Sequence, residues 1–72
     1  MQAYEIRELK DDEIARRLDE AYEELWGLRF KHSTNQLVDV TQIKRVRKDI
    51  ARLKTVQRER EIWAEYDAQQ EQ

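Results

Sequence analysis

The sequence contains no cysteine and no proline, and Gly27 is its only glycine. Without cysteine, neither a disulfide nor a thiolate-ligated metal site is possible, which fits a reducing compartment. The scarcity of helix-breaking residues favours long helices over a sheet. No apolar run approaches the roughly 18 residues that cross a bilayer, and the first five residues lack the basic-then-apolar order of a signal peptide. We therefore expect one small helical domain.

Charge is abundant and segregated along the chain. Charged residues make up 42% of the 72 residues, and the formal net charge is −2. Residues 1–30 carry a net charge of −4, residues 44–60 carry +6, and residues 61–72 contain four acids and no base. This asymmetry indicates one element that faces a polyanion. A chain this short builds only a marginal core and gains stability from a partner.

Two stretches of apolar residues recur at helical spacing. The first consists of Ile14, Leu18, Ala21, Leu25 and Leu28, and the second of Ile43, Val46, Ile50 and Leu53. Both have the narrow 3–4 spacing of helices that pack on each other. Because only about five residues separate them, the helices must run antiparallel. The prediction is an all-α fold, a long antiparallel two-helix hairpin with a short N-terminal helical lead-in.

Local signals set the expected boundaries within this single domain of residues 1–72. Asp11 or Asp12 is expected to cap the first helix and Asp39 the second, while Asn35 tolerates the left-handed conformation at a helix end. The lead-in is predicted at 1–10, helix one at 11–34, the turn at 35–39, helix two at 40–67 and a frayed polar tail at 68–72.

The second apolar stripe is expected to end at Leu53, since Gln57 and Arg60 hold the next positions. Antiparallel pairing then brings the end of helix two beside the lead-in. We predict a second apolar cluster at this open end of the hairpin, formed by Ile62, Trp63 and Tyr66 with Tyr4, Ile6, Leu9 and Ile14.

The basic face of helix two is the strongest functional signal. Two neighbouring stripes lie outside the apolar one: Lys44, Arg47, Ala51, Lys54 and Arg58 in the first, and Arg45, Lys48 and Arg52 in the second. Cations spread along a rigid helix suit RNA phosphates, which are recognised by shape and charge rather than by sequence. From charge alone, a solvated face that pairs with Glu20, Glu23 and Glu24 is an equally good interpretation.

Helix one carries an aromatic stripe of Tyr22, Trp26 and Phe30, spaced by four. Trp26 and Phe30 lie far round from the apolar seam, so a lone hairpin exposes them, and exposed aromatic patches indicate a contact surface. We expect these three residues to meet a protein partner. In the competing interpretation the lead-in folds back and covers Tyr22 and Trp26.

No pattern of residues predicts catalysis. His32 has no second histidine or acidic cluster with which to hold a metal, and Ser33 and Thr34 lack a general base. The adjacent Glu23 and Glu24 point to different helix faces. We expect neither enzyme activity, a cofactor, a metal nor a small-molecule substrate.

Four blocks of sequence resemble the bacterial type of the universal ribosomal large-subunit protein twenty-nine family. Residues 43–56, IKRVRKDIARLKTV, are similar to its signature, and residues 24–30, ELWGLRF, to the end of its first helix. TNQL at 34–37 looks like its turn and EIREL at 5–9 like its opening. The likeness covers about residues 4–61. Lys10, Gly27, Asn35, the pair Asp39-Val40 and the acidic tail depart from the family pattern.

The resemblance implies a structural protein of the large ribosomal subunit, bound to ribosomal RNA near the exit of the peptide tunnel and located on cytoplasmic ribosomes. It implies ribosomal protein twenty-three as a neighbour, with trigger factor and signal recognition particle docking nearby. Together with the basic stripes, it gives the expected RNA-binding set: Arg29, Thr34, Asn35, Gln36, Lys44, Arg45, Arg47, Lys48, Arg52, Lys54, Thr55 and Arg58.

Two other functions are compatible with parts of the sequence. A homo-oligomeric coiled-coil adaptor would use both apolar stripes to bind further copies of the chain, which the early end of the second stripe disfavours. A small helical enzyme of the chorismate mutase type needs a third long helix, and this chain has no room for it.

Overall fold

The computed structural model describes residues 2–70, which form three helices joined by short connections. Helix α1 spans Ala3–Arg7, α2 spans Asp11–Ser33 and α3 spans Val40–Gln70. Helices α2 and α3 pack along each other, and the molecule is a rod of 57 × 19 × 15 Å. The predicted all-α hairpin with a helical lead-in is confirmed. Met1 and residues 71–72 lie outside the described residues.

The turn between the long helices is built by local hydrogen bonds. Asn35 is left-handed, with φ of 62°. The amide of Gln36 donates to the carbonyl of Lys31 at 3.0 Å and that of Asn35 to His32 at 3.2 Å, the two bonds of a Schellman motif. The Asp39 carboxylate then accepts the amide of Thr41 at 2.9 Å and caps α3. The predictions for Asn35 and Asp39 are confirmed.

The predicted cap of the first long helix is wrong. Asp11 is the first residue of α2, Lys10 holds the N-cap position, and no side chain caps it. The carboxylate of Asp11 instead accepts a hydrogen bond from Arg60 at 2.7 Å. Asp11, Asp12 and Glu13 still favour the helix, because they place negative charge at its positive end.

The core is one continuous seam of eight buried side chains: Ile6, Ile14, Leu18, Leu25, Val46, Ile50, Leu53 and Val56. Ala21, Leu28 and Ile43 are partly buried against it, so both predicted stripes face inwards. The expectation that the second stripe ends at Leu53 is wrong, since Val56 is only 2% exposed. Its extra partner is the lead-in, whose Ile6 is fully buried in the same cluster.

The predicted cluster at the open end of the hairpin forms only in part. Ile6 and Ile14 are buried and Leu9 is half-buried, whereas Tyr4, Ile62, Trp63 and Tyr66 are about half or more exposed. The reason is length: α3 has 31 residues and α2 has 23. Beyond Arg60, which is level with the start of α2, the last turns of α3 extend past the end of α2.

This overhanging part of α3 remains helical to Gln70, past the expected helix end at residue 67. The described part of the expected frayed tail, residues 68–70, is therefore helix. The rings of Trp63 and Tyr66 contact each other edge to face at 5.7 Å. The absence of glycine and proline after residue 60 allows the helix to continue.

Candidate nucleic-acid interface

The first basic stripe lies along the exposed side of α3. Lys44, Arg47, Ala51, Lys54 and Arg58 are all exposed, and at 1.5 Å rise per residue the stripe is about 21 Å long. The buried seam on the inner side of α3 holds the helix in place. A row of cations on a straight rod is therefore available to an anionic partner without rearrangement of the backbone.

A cation–π contact shows which way this stripe faces. The Nζ atom of Lys54 lies 5.2 Å from the centroid of the Tyr22 ring, a favourable arrangement for an ammonium group. The Tyr22 ring in turn lies 5.8 Å from that of Trp26. The first basic stripe and the aromatic stripe therefore share one side of the hairpin, which we call the front face.

The aromatic residues on the front face differ in exposure. Tyr22 is partly buried against the core, whereas the exposed fractions of Trp26 and Phe30 are 60% and 66%. Helix α1 packs against α3 and leaves Trp26 open. The alternative in which the lead-in covers Trp26 is therefore wrong, and a surface of two aromatic rings remains accessible.

The second basic stripe, Arg45, Lys48 and Arg52, lies towards the opposite side of α3. Arg52 is 3.8 Å from Asp49, and Asp49 lines a shallow groove with Arg17, Glu20 and Glu24 of α2. We call this side the back face. Its carboxylates make it less attractive to phosphate than the front face, because like charges repel.

Thr55 lies between the two stripes, on the side of α3 that is turned away from α2. Its hydroxyl donates to the carbonyl of Ala51 at 2.8 Å, so its oxygen is left to accept from a partner. The outer side of α3 is thus cationic from one stripe to the other, with a small polar group at its centre. Arg58, the last cation of the first basic stripe, is paired with Glu61 at 3.1 Å.

The residues of the turn are exposed at the far end of the rod. Thr34, Asn35 and Gln36 are open to solvent, as is Arg29 one turn earlier. The Thr34 hydroxyl is occupied as a donor by the carbonyls of Phe30 and Lys31. This group is separated from Arg58 by almost the length of the hairpin, so a partner that touches both must be extended.

Arg60 was missed as an important residue because it interrupts the apolar spacing. Its guanidinium donates to the carbonyls of Leu9 at 2.6 Å and Arg7 at 3.0 Å, and to the Asp11 carboxylate. It therefore serves the fold rather than the basic surface. The sequence does contain a signal for this role, because Arg60 is a lone arginine at a seam position, opposite an acid at the start of another helix.

The described residues hold no sign of a metal centre or a membrane span. Within residues 2–70, histidine and acidic side chains nowhere gather in a group of three that could bind a metal ion. Across the same range, every helix is too short or too polar to cross a bilayer. His32 is exposed beside the turn.

Comparison with known proteins gives one consistent family. The profile of the family described as "Ribosomal L29 protein" matches residues 4–60. The large ribosomal subunit protein uL29 of Natranaerobius thermophilus is 52% identical over 62 residues, covering 86% of this chain and 95% of that protein. Those of a Geobacillus species (53% identity; 89% and 94% covered) and Streptomyces griseus (52%; 88% and 85%) are similarly related.

Proposed function

Because this chain belongs to the ribosomal L29 family, and is thus a structural protein of the ribosome rather than an enzyme, we propose that it binds ribosomal RNA of the large subunit through the outer side of α3. The observation that carries this proposal is the cationic surface on that helix, with seven bases against one acid between residues 44 and 58. The opposite side of the same helix is buried in the core.

The physical basis is phosphate neutralisation. Each Lys or Arg that meets a phosphate releases a condensed counterion, so binding is favourable and weakens steeply with salt. Contacts of this kind fix position and orientation without reading sequence. We assign the RNA contacts to Lys44, Arg45, Arg47, Lys48, Arg52, Lys54, Thr55 and Arg58 on α3, and to Arg29, Thr34, Asn35 and Gln36 at the turn.

The family also suggests where on the ribosome the protein lies. We propose a site near the exit of the peptide tunnel on cytoplasmic ribosomes, beside ribosomal protein twenty-three. Trigger factor and signal recognition particle would dock close to it. The molecule is a rod 57 Å long and only 15–19 Å across, which is narrow enough to lie between RNA helices.

Co-sedimentation with large ribosomal subunits tests the proposal. The double variant Arg47→Glu, Arg52→Glu reverses one cation in each stripe, and we expect it to lower subunit affinity at least about tenfold at physiological salt. The matched control, Arg16→Glu with Lys31→Glu, makes the same charge change on α2 and should bind nearly as the unmodified chain does. Equal binding by the two variants would contradict the proposal.

Analytical ultracentrifugation separates this function from the coiled-coil adaptor. The two apolar stripes pack on each other within one chain, so neither stripe is available to bind a second copy. We therefore expect a monomer at micromolar concentration. A tight dimer or tetramer would favour the adaptor instead.

A further inference from the structure

The front face combines exposed aromatic rings with cations in one surface. Lys54 lies over Tyr22, and the two long helices are antiparallel. Trp26 and Phe30 follow Tyr22 along one stripe of α2, and Arg47 precedes Lys54 along one stripe of α3. The exposed rings of Trp26 and Phe30 therefore lie on the same face as the cations Arg47 and Lys54.

The rings have the support that a stacking platform needs. The Tyr22 side chain lies between the core and Lys54. The planes of the Tyr22 and Trp26 rings meet at 31°. The remaining surface of Trp26 is open, since 60% of the residue is exposed, and Phe30 is 66% exposed. Glu23 is exposed on α2, whereas the exposed charged residues of the first basic stripe on α3 are all cations, which favours an anionic partner that approaches from the α3 side.

We propose that Trp26 and Phe30 stack on unpaired nucleobases of RNA while Arg47 and Lys54 hold the adjoining phosphates. This inference rests on the proposed function and names the part of the RNA that the front face binds. It also revises the expectation that the aromatic stripe meets a protein. An apolar protein surface on this face would bury Lys54 and Arg47 beside it, which is costly without partners, whereas RNA supplies a ring and an anion together.

The geometry specifies the form of the RNA. In a double helix the bases are stacked inside and their faces are closed to side chains, so only a loop, bulge or end can use the rings. Trp26 and Phe30 are one turn apart, about 6 Å along the axis, which is wider than the roughly 3.4 Å between stacked bases. The two rings therefore take bases that are splayed apart.

Tryptophan fluorescence gives a direct test in the full chain. Trp63 lies on the overhang, so Trp63→Phe leaves Trp26 as the only tryptophan. Two probes are compared: an RNA hairpin with a loop of unpaired adenosines, and a blunt RNA duplex with the same number of phosphates. We expect the loop to quench Trp26 emission strongly and the duplex to leave it nearly unchanged.

Substitutions then show whether the rings contribute to binding. Trp26→Ala and Phe30→Ala should each lower affinity for the loop about tenfold and leave affinity for the duplex unchanged. Trp26→Phe, which keeps a ring, should retain most of the affinity, and Trp26→Leu should not. Because both side chains are exposed, circular dichroism should show an unchanged fold in all four variants.

Three outcomes would overturn the inference, each in a distinguishable way. Equal binding of both probes without quenching would leave the proposed function standing and remove the stacking. Unchanged RNA affinity in Trp26→Ala, with loss of co-sedimentation with large subunits, would assign the rings to a protein neighbour. If the unmodified chain bound neither probe at low salt, the proposed function would fail and the inference with it.

Discussion

The Arg60 side chain joins the N-terminal segment to α3. Its guanidinium meets two backbone carbonyls and one carboxylate, and about a third of the side chain is exposed. Arg7 is the last residue of α1 and Leu9 lies in the connection to α2, so neither carbonyl has a partner within a helix. One planar, multivalent donor therefore satisfies groups that a hydrophobic side chain would leave unpaired.

Replacing Arg60 should loosen this junction. We expect Arg60→Ala to lower the free energy of unfolding by about 1–2 kcal/mol, which corresponds to a fall in Tm of roughly 5–15 °C in a chain of this size. Arg60→Lys should recover little, because an ammonium group lacks the fork that reaches three acceptors. Thermal unfolding followed by circular dichroism measures both.

Arg58→Ala is the matched control, because Arg58 makes only an exposed pair with Glu61 of its own helix. Such pairs contribute little to stability, so its Tm should stay close to that of the unmodified chain. Equal losses in the Arg58 and Arg60 variants would show that the contacts of Arg60 do not stabilise the fold.

At the scale of the helices, the spacing of apolar residues predicted those features that depend on a single helix. The inward stripes of α2 and α3 follow from the 3.6-residue period, and the Asn35 and Asp39 ends follow from side-chain chemistry within a few residues. The burial of Val56 could not be predicted in this way. It depends on Ile6, some 50 positions away, which docks only because α1 folds onto α3.

The overhang of α3 gives a prediction at this scale. Deleting residues 62–72 removes Ile62, Trp63 and Tyr66, all about half or more exposed, and no residue of the buried core. We expect Tm to change by less than about 2 °C. Deletion also removes Glu65, Asp67 and Glu71, so the net charge rises from −2 to +1, and affinity for RNA at low salt should increase.

Val56→Ala provides the comparison, since truncation of this buried side chain should destabilise the protein by about 1–2 kcal/mol. Circular dichroism measures Tm and filter binding measures RNA affinity. If the truncated chain lost as much stability as Val56→Ala, the overhang would have to contribute to the core.

For the whole molecule, the property that matters is how the two helices are rotated against each other. The residues of the basic and aromatic stripes could be chosen from the sequence, because each belongs to a single helix. That Lys54 lies over Tyr22, so that both stripes share the front face, depends on both inward stripes and on the antiparallel order of the helices taken together. Periodicity within one helix carries no information about that relation.

The rod-shaped charge distribution predicts a steep response to salt. With four cations on the front stripe engaged, the logarithm of RNA affinity should fall against the logarithm of salt concentration with a slope of about −3 or steeper. Arg47→Glu should make the slope shallower by about 1, whereas Trp26→Ala should leave it unchanged. A filter-binding series at several salt concentrations measures all three, and a flat dependence would argue against phosphate contacts.

The bonds between Arg60 and the N-terminal segment span 49–53 positions of the chain. During synthesis the N-terminal segment is therefore made about 50 residues before the side chain that anchors it. The turn, whose hydrogen bonds are local, closes at a much smaller entropic cost. We therefore expect the turn to form first and the N-terminal segment to dock last.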